Sequence, residues 1–300
     1  MFSSLYESPS YALNESLAGP RDYSMGPRPN LTFRERGCYA FISMLRVEER
    51  PVNERPSSAK TVSSWSGKAR EEAVQRMFTA IARWYDLNNT VLSFGLHHRW
   101  KRAAVAQIPV TDGGKALDIG SGTADLALLL APRMGAGGMV AASDLNEAML
   151  REGHKKIADR APTRRVPCLL INAEAVSFPE ATFDAVTAGF CIRNVGNRMR
   201  AFTEIHRVLK PGGRFVCLEF SRPVRSWLRS LYDWYSFSLL PTIGTVVARD
   251  KTGVYEYLPA SIRTFPDQEG LKAQLLEAGF RTVTYQNLTG GIVAIHVATK

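Results

Sequence analysis

Ala116-Leu117-Asp118-Ile119-Gly120-Ser121-Gly122-Thr123-Ala124-Asp125 is the stretch on which the fold turns. Residues 116–119 read as a short buried strand. Two glycines then allow a turn too tight for side chains. From Thr123 the run to Leu130 is good helix sequence, with Thr123 as the expected N-cap. Strand, glycine turn and helix form the first crossover of a nucleotide-binding α/β domain. The glycines let the backbone approach a ligand, and the helix N-terminus offers free N–H groups and a positive dipole end to a carboxylate.

Working outward, the next strands narrow the ligand. A dinucleotide fingerprint needs glycine three residues after the second one; Asp125 stands there, which disfavours NAD. Met139-Val-Ala-Ala-Ser-Asp144 supplies a second strand with an acid at its end, placed for ribose hydroxyls. Val166 to Ile171 is a third, followed by Asn172-Ala173-Glu174, suited to flank an adenine by backbone and side chain. An ordinary αβ turn accounts for Gly120 and Gly122 alone. The three strand ends together suit S-adenosylmethionine. Its candidate contacts are Gly120, Gly122, Thr123, Asp144, Asn172 and Ala173, with Asp118 orienting the glycine loop.

With 300 residues and 45% hydrophobic side chains, the chain can bury one large domain plus an appendage. The net charge of +10 and pI near 9.6 point to an anionic partner without choosing between membrane and nucleic acid. Residues 1–68 hold nine basic and seven acidic side chains, so +8 belongs to the remainder. They lack a sustained period and read as a disordered extension, or as an overlong reading frame with Met44 the start. Glu7, Glu15 and Asp22 argue against a transit peptide. Cys38, Cys168, Cys191 and Cys217 show no metal spacing, and the last three read as small buried hydrophobes of a reducing compartment. No stretch reaches the length of a membrane span.

From Ala69 apolar residues recur at helical spacing through Ala73, Val74, Met77, Phe78, Ile81, Trp84 and Tyr85, and Asp86-Leu-Asn-Asn89 is expected to break the helix. Thr90 to Arg102 is aromatic, basic and polar at once. Asn146–Ile157 reads as a helix, Phe183–Gly189 as a fourth strand, Met199–Leu209 as a helix, Lys210–Gly213 as a turn and Arg214–Phe220 as a fifth strand. Trp227, Leu228, Leu231, Trp234, Tyr235 and Leu239 make a broad apolar helical face behind Arg222, Arg225 and Arg229. Leu271–Ala278 is a last helix stopped by Gly279, and strands over 282–285 and 291–299 close the chain.

From about Val74 onward the chain resembles the ubiquinone/menaquinone biosynthesis C-methyltransferases. The resemblance rests on Tyr85-Asp-Leu-Asn-Asn89, Ser93-Phe-Gly-Leu-His97, Trp100-Lys101, Leu117 to Thr123, Asp144 to Leu150 and Asn172-Ala-Glu174. It continues through Arg193-Asn-Val195, Arg207 to Gly213, Leu218-Glu-Phe-Ser221, Tyr235-Ser-Phe237, Ile262-Arg263, Pro266-Asp-Gln268 and Asn287-Leu-Thr289. The glycine loop alone would mean any methyltransferase; the Arg193, His97 and Asn287 segments are more specific. Ala124 stands where the family usually has glycine, a swap expected to be tolerable. Gly189 stands where it often has a serine that touches the cofactor.

The resemblance implies an α/β, Rossmann-like class I methyltransferase. Its sheet would be seven-stranded and mainly parallel, with helices on both faces and an antiparallel last strand. The methyltransferase domain would span 69–300: a helical cap over 69–110, the cofactor core over 115–220, a lid over 222–265 and a C-terminal helix and strands over 266–300. The implied reaction is methyl transfer from S-adenosylmethionine to a ring carbon of a polyprenylated benzoquinol or naphthoquinol. A ring carbon becomes nucleophilic when a ring hydroxyl, with a pKa near 10 in water, loses its proton. Arg193 is then expected to stabilise the phenolate, Asn194 to hold a quinol oxygen or a water, and His97 to take the proton. Tyr85 and Asn89 would help line the substrate pocket, Gly189 would border the cofactor, and no metal is required. Partners implied are the quinol, a membrane surface and a homodimer or quinone-biosynthesis complex, with no nucleic acid; the place is cytoplasmic, peripheral to the inner face of the cell membrane. An O- or N-methylating enzyme, a non-catalytic cofactor- or lipid-binding member and an RNA methyltransferase are the competing readings.

Overall fold

The computed structural model describes residues 67–239 and 254–300; the readings made for 1–66 and 240–253 lie outside the described residues. Three helices come first: α1 (Gly67–Ile81), α2 (Tyr85–Leu92) and α3 (Leu96–Ala106). The alternating core follows as β1 (Lys115–Ile119), α4 (Asp125–Leu130), β2 (Met139–Asp144), α5 (Glu147–Arg160), β3 (Cys168–Leu170) and β4 (Phe183–Gly189). Then come α6 (Arg198–Val208), β5 (Leu209–Phe220), α7 (Ser226–Trp234, continued by a wide turn over Tyr235–Leu239) and α8 (Val254–Thr264). The chain closes with α9 (Gln268–Glu277), β6 (Thr282–Leu288) and β7 (Val293–Thr299).

The sheet is seven-stranded in the order β3-β2-β1-β4-β5-β7-β6. Strands β1 to β5 pair in parallel, and β7 runs against both β5 and β6, so it alone is reversed. Successive β1 residues serve opposite layers. Ala116 packs with Trp100, Ala104, Leu126, Leu130 and Ile157 from α3, α4 and α5. Leu117 and Ile119 pack with Phe202, Ile205, Leu271 and Leu275 from α6 and α9. Full burial of each such leucine or phenylalanine contributes about 1.5–3 kcal/mol. The strand order reverses between β1 and β4, so a crevice opens at the carboxyl ends of β1, β2 and β4.

Several local expectations are corrected. The break in the first helical run falls at Ala82–Trp84, a 3₁₀ turn, and Asp86-Leu-Asn-Asn89 lies inside α2. Asp86 sits in the first turn of α2, where a carboxylate suits the helix dipole, and buried Asn88 faces inward. Thr123 does not cap α4; the N-cap is Ala124 at φ +66°. A left-handed alanine costs about 1–2 kcal/mol, which explains the glycine expected at this position. Its buried methyl offsets about 0.8 kcal/mol. Room for that methyl comes from Gly153 of α5, whose own Cβ would sit 3.3 Å from that of Ala124 and 2.9 Å from the Gly122 carbonyl oxygen. The turn foreseen at Lys210–Gly213 is instead an irregularity near the start of β5, where the register with β4 shifts and Gly212 takes φ +77°.

The cap is fastened to the core by polar side chains. Asn146 caps α5 by accepting from the Met149 N–H at 3.0 Å, and its Nδ2 donates to the Gln75 carbonyl and the Thr79 hydroxyl of α1. Lys101 of α3 and Lys156 of α5 both hold Asp125, at 2.7 and 2.8 Å. Burial would raise the Asp125 pKa, but the two lysines hold it well below the usual carboxylate range.

Candidate active site

The first half of the site is a cleft over the ends of β1, β2 and β4. Gly120 lies at φ +61°, and a Cβ there would stand 2.4 Å from the Cβ of Cys191. Only glycine lets the loop after β4 close on the loop after β1. The Gly122 N–H donates to Asp144 Oδ2 and the Asn146 N–H to Asp144 Oδ1, each at 2.8 Å. Burial raises the Asp144 pKa while these backbone donors oppose it. Each oxygen keeps a lone pair for a further donor. Asn172 folds back to accept from the Glu174 N–H at 2.8 Å. With Ala173 it borders the cleft, between apolar walls from Met149 and Ile171.

Gly189 also borders this cleft. A side chain there would begin 2.4 Å from Leu126 Cδ1, so Leu126 fills the space a serine would need. Two residues expected at the glycine loop, Asp118 to orient it and Thr123 to touch the cofactor, do not line the cleft. Asp118 is fully buried under the sheet, does not line the cleft, and accepts from the Thr187 hydroxyl at 2.7 Å. Burial pushes its pKa up to about 6. Thr123 is buried too, and its hydroxyl donates to Asp86 Oδ1 at 2.6 Å. It joins the glycine loop to α2, while Asp118 anchors β1 to β4.

The second half is a mainly apolar cavity of about 380 Å³ enclosed by α2, α3, α7 and α8. Asn89, His97, Arg193 and Tyr85 line it. Arg193 is buried; its Nη1 donates to Glu219 Oε1 at 2.8 Å and to the Phe190 carbonyl, and its Cζ lies 5.5 Å from the Phe220 ring centre. Burial alone would lower its pKa, but buried Glu219 outweighs that and raises it. The pair is therefore neutral in sum, and Arg193 Nε remains a buried donor with no partner. Asn194 lies on the cofactor side instead, where its Oδ1 accepts from the Tyr257 hydroxyl at 3.0 Å.

His97 is buried, and its pKa falls to about 4 through burial first and then the nearby Lys101 and His98. It is neutral at physiological pH. Burial raises the Tyr85 phenol against the pull of Asn89 and Arg193. Tyr85, Phe78 and Phe190 line both the cleft and the cavity, so the two meet at these rings. Sequence reading left out Glu219, Tyr257, Tyr232 and Asn88. Glu219 carried a signal, a lone acid at the end of an apolar strand like Asp144. The others sit on helical segments whose inward face is set only by packing. Asn287, prominent in the resemblance, accepts from Gln268 Nε2 at 2.8 Å and ties β6 to α9 outside both cavities.

The cleft suits an adenosyl group by the chemistry of its lining: a two-oxygen acceptor for a diol, an amide and backbone edge for a base, and apolar walls for its faces. Sheet order and cleft together define a class I S-adenosylmethionine-dependent methyltransferase. The chain belongs to the ubiE/COQ5 methyltransferase family, whose sequence profile matches residues 66–300. A ubiquinone/menaquinone biosynthesis C-methyltransferase UbiE from Marinomonas sp. (strain MWYL1) is 44% identical over 229 residues, 76% of this chain and 91% of that protein. A protein of the same name from Yersinia pestis (strain Pestoides F) is 46% identical over 231 residues, 77% of this chain and 92% of its own length. Among solved structures, a SAM-dependent methyltransferase from Thermotoga maritima, titled a possible histamine N-methyltransferase, superposes with a TM-score of 0.53. It is 18% identical and covers 75% of this chain and 98% of its own, a likeness of fold alone.

Proposed function

We propose that this chain methylates a ring carbon of a polyprenylated quinol, with S-adenosylmethionine in the cleft and the quinol ring in the cavity. The observation that carries this is the junction at Tyr85, Phe78 and Phe190, where a polar nucleotide-type cleft meets a largely apolar cavity holding buried Arg193. S-adenosylmethionine supplies an electrophilic methyl group, which the ring carbon takes as the sulfonium becomes a neutral thioether and the ring hydrogen leaves as a proton. The protein's part is to hold the ring, exclude water and favour phenolate. Arg193 Nε supplies a directed donor to the phenolate oxygen, and the neutral His97 accepts the hydroxyl proton. Asp144, Asn172 and Ala173 hold the adenosyl part, and Asn194, held by Tyr257, braces the cleft. The test is methylation of short-tailed demethylated benzoquinols and naphthoquinols. Product bearing a new C-methyl group supports the reading; methylation only on oxygen or nitrogen overturns it.

The cavity mouth supports a second element, peripheral contact with a bilayer. Trp227 and Trp234 of α7 are 61% and 59% exposed and Phe94 is 76% exposed. Trp84, Leu87 and Val91 are also exposed, at the spacing of one helix face running from the N-cap along α2. Phe94, Leu231 and Trp234 line the cavity as well, and the Tyr235 hydroxyl donates to the Leu92 carbonyl at 2.8 Å, joining the two elements. Arg83, Arg225 and Arg229 are exposed on the same segments, each adding about 1 kcal/mol beside an anionic surface. Among the described residues no helix is long and apolar enough to cross a membrane. The protein should sediment with anionic vesicles at low salt and lose most of that binding in Trp227→Ser/Trp234→Ser. Failure to sediment with any vesicle would mean that a partner delivers the quinol.

A further inference from the structure

His97 Nε2 lies 3.1 Å from the Thr90 hydroxyl oxygen. That same oxygen lies 2.8 Å from the backbone carbonyl of Asp86, one turn back on α2. A hydroxyl has one proton. Spent on the Asp86 carbonyl, which can only accept, it leaves the oxygen to accept from His97. The imidazole proton then sits on Nε2, and Nδ1 carries the bare lone pair. His97 Nδ1 is buried with no hydrogen-bond partner. The opposite assignment would bury an orphan N–H there, a rarer and costlier arrangement than an unused lone pair. Asp86 is itself fixed, because its carboxylate accepts from Thr123 of the glycine loop and pairs with Lys156.

We propose that Thr90 is a positioning residue that sets the tautomer of His97, so that Nδ1 is the atom that takes the quinol proton. This rests on the methyl-transfer reading and names the accepting atom within it. The quinol O–H bond breaks, its proton bonds to Nδ1, and its electron pair stays on the oxygen to feed the ring carbon. The imidazolium then holds two N–H groups, one newly formed at Nδ1 and the other still bonded to Thr90. Once the methyl group is in place, the ring C–H proton passes to water and His97 returns the first proton to the oxygen, so one proton leaves for each methyl group gained.

The test is nitrogen-15 NMR of the substrate-free protein. The chain has five histidines, and His97→Gln assigns the signal. Wild type should show His97 as the Nε2–H tautomer. Thr90→Val keeps the shape and removes the hydroxyl; it should shift His97 toward Nδ1–H and cut kcat by about 10- to 100-fold, with the quinol KM and cofactor affinity changing less than about threefold. Thr90→Ser should retain both the tautomer and the rate. Wild-type His97 protonated on Nδ1, or Thr90→Val with unchanged tautomer and rate, would overturn the proposal. The tautomer is read without substrate, so a protein that methylates no quinol overturns the functional reading and leaves the Thr90 assignment to be decided separately.

Discussion

The two halves of the site are built by different means. The nucleotide-type cleft is made chiefly where consecutive strands end, from backbone donors and short polar side chains within 119–196, with α1 and Tyr85 closing one side. The apolar cavity is made from side chains as distant in sequence as Phe78 and Ile292, brought together only when α2, α3, α7 and α8 close over β4 and β5. The first is fixed by the sheet. The second is assembled by packing, and its buried Arg193 needs Glu219 to be stable there. If this division holds, damage to one half should spare the other.

The largest expected effect is in the packed half. Arg193→Ala should cut turnover by about 100- to 1000-fold. It should also cost about 3–5 kcal/mol of stability, because Glu219 would stay buried without its partner. Adding Glu219→Gln should recover much of the stability and none of the turnover, with cofactor affinity within about threefold throughout. Denaturant titration, single-turnover assay and calorimetry would check the three parts. A large fall in cofactor affinity would break the division. Next comes the mirror experiment. Asp144→Ala should weaken cofactor binding about 10- to 100-fold, since hydrogen bonds to a charged acceptor are worth roughly 1.5–3 kcal/mol. Fluorescence titration of a quinone analogue should not change.

A smaller effect tests the sheet beneath both halves. The Asp118 pKa is raised to about 6 from an ordinary 3.8, so the folded state binds its proton more readily than the unfolded chain. Its ionisation costs nothing below the unfolded pKa and destabilises progressively as pH rises through the folded one. Asp118→Asn should therefore raise the melting temperature at pH 8, by the equivalent of at most about 3 kcal/mol, and the gain should vanish near pH 4. Smallest of all, removing residues 1–66 should leave cofactor affinity and turnover unchanged, as the family profile begins at 66. Loss of the folded state would assign that segment a place on the domain.

The same division explains what was legible in the sequence. Gly120, Gly122, Asp144 and Asn172 could be found by counting along the chain, because a strand end and its ligand contact are separated by a turn. The reversed β7 came from the family resemblance and stands as expected; the role given to Arg193 came from the same resemblance. Thr123 was misplaced because spacing shows that a side chain is near a loop, not which way it points, while Asp118, expected to orient the glycine loop, sits beside Ser121 of that loop. Asp118 turns into the sheet toward Thr187, and Thr123 turns toward Asp86. The Asp86-Leu-Asn-Asn89 segment was read as a break because its residues favour turns when exposed. In place, Asp86 is paired with Lys156 and Thr123 and Asn88 is buried, and these partners let the helix run through. Tyr257 and Glu219 escaped notice because their partners lie at Asn194 and Arg193, on other elements.

The exposed rim of Phe94, Leu231 and Trp234 has a consequence for how the enzyme would meet its substrate. A cavity that opens onto lipid samples quinol by its density in the bilayer and not by its concentration in the surrounding water. Rate should then follow the mole fraction of quinol in the vesicle, falling when inert lipid is added at constant total quinol and constant volume. The search for substrate becomes two-dimensional, and enzyme already adsorbed should process many quinols before it leaves the surface. On this reading the methyl donor would arrive from water through the other cleft, and Tyr85 and its neighbouring rings would stand where a reactant confined to a plane meets one that is free in volume.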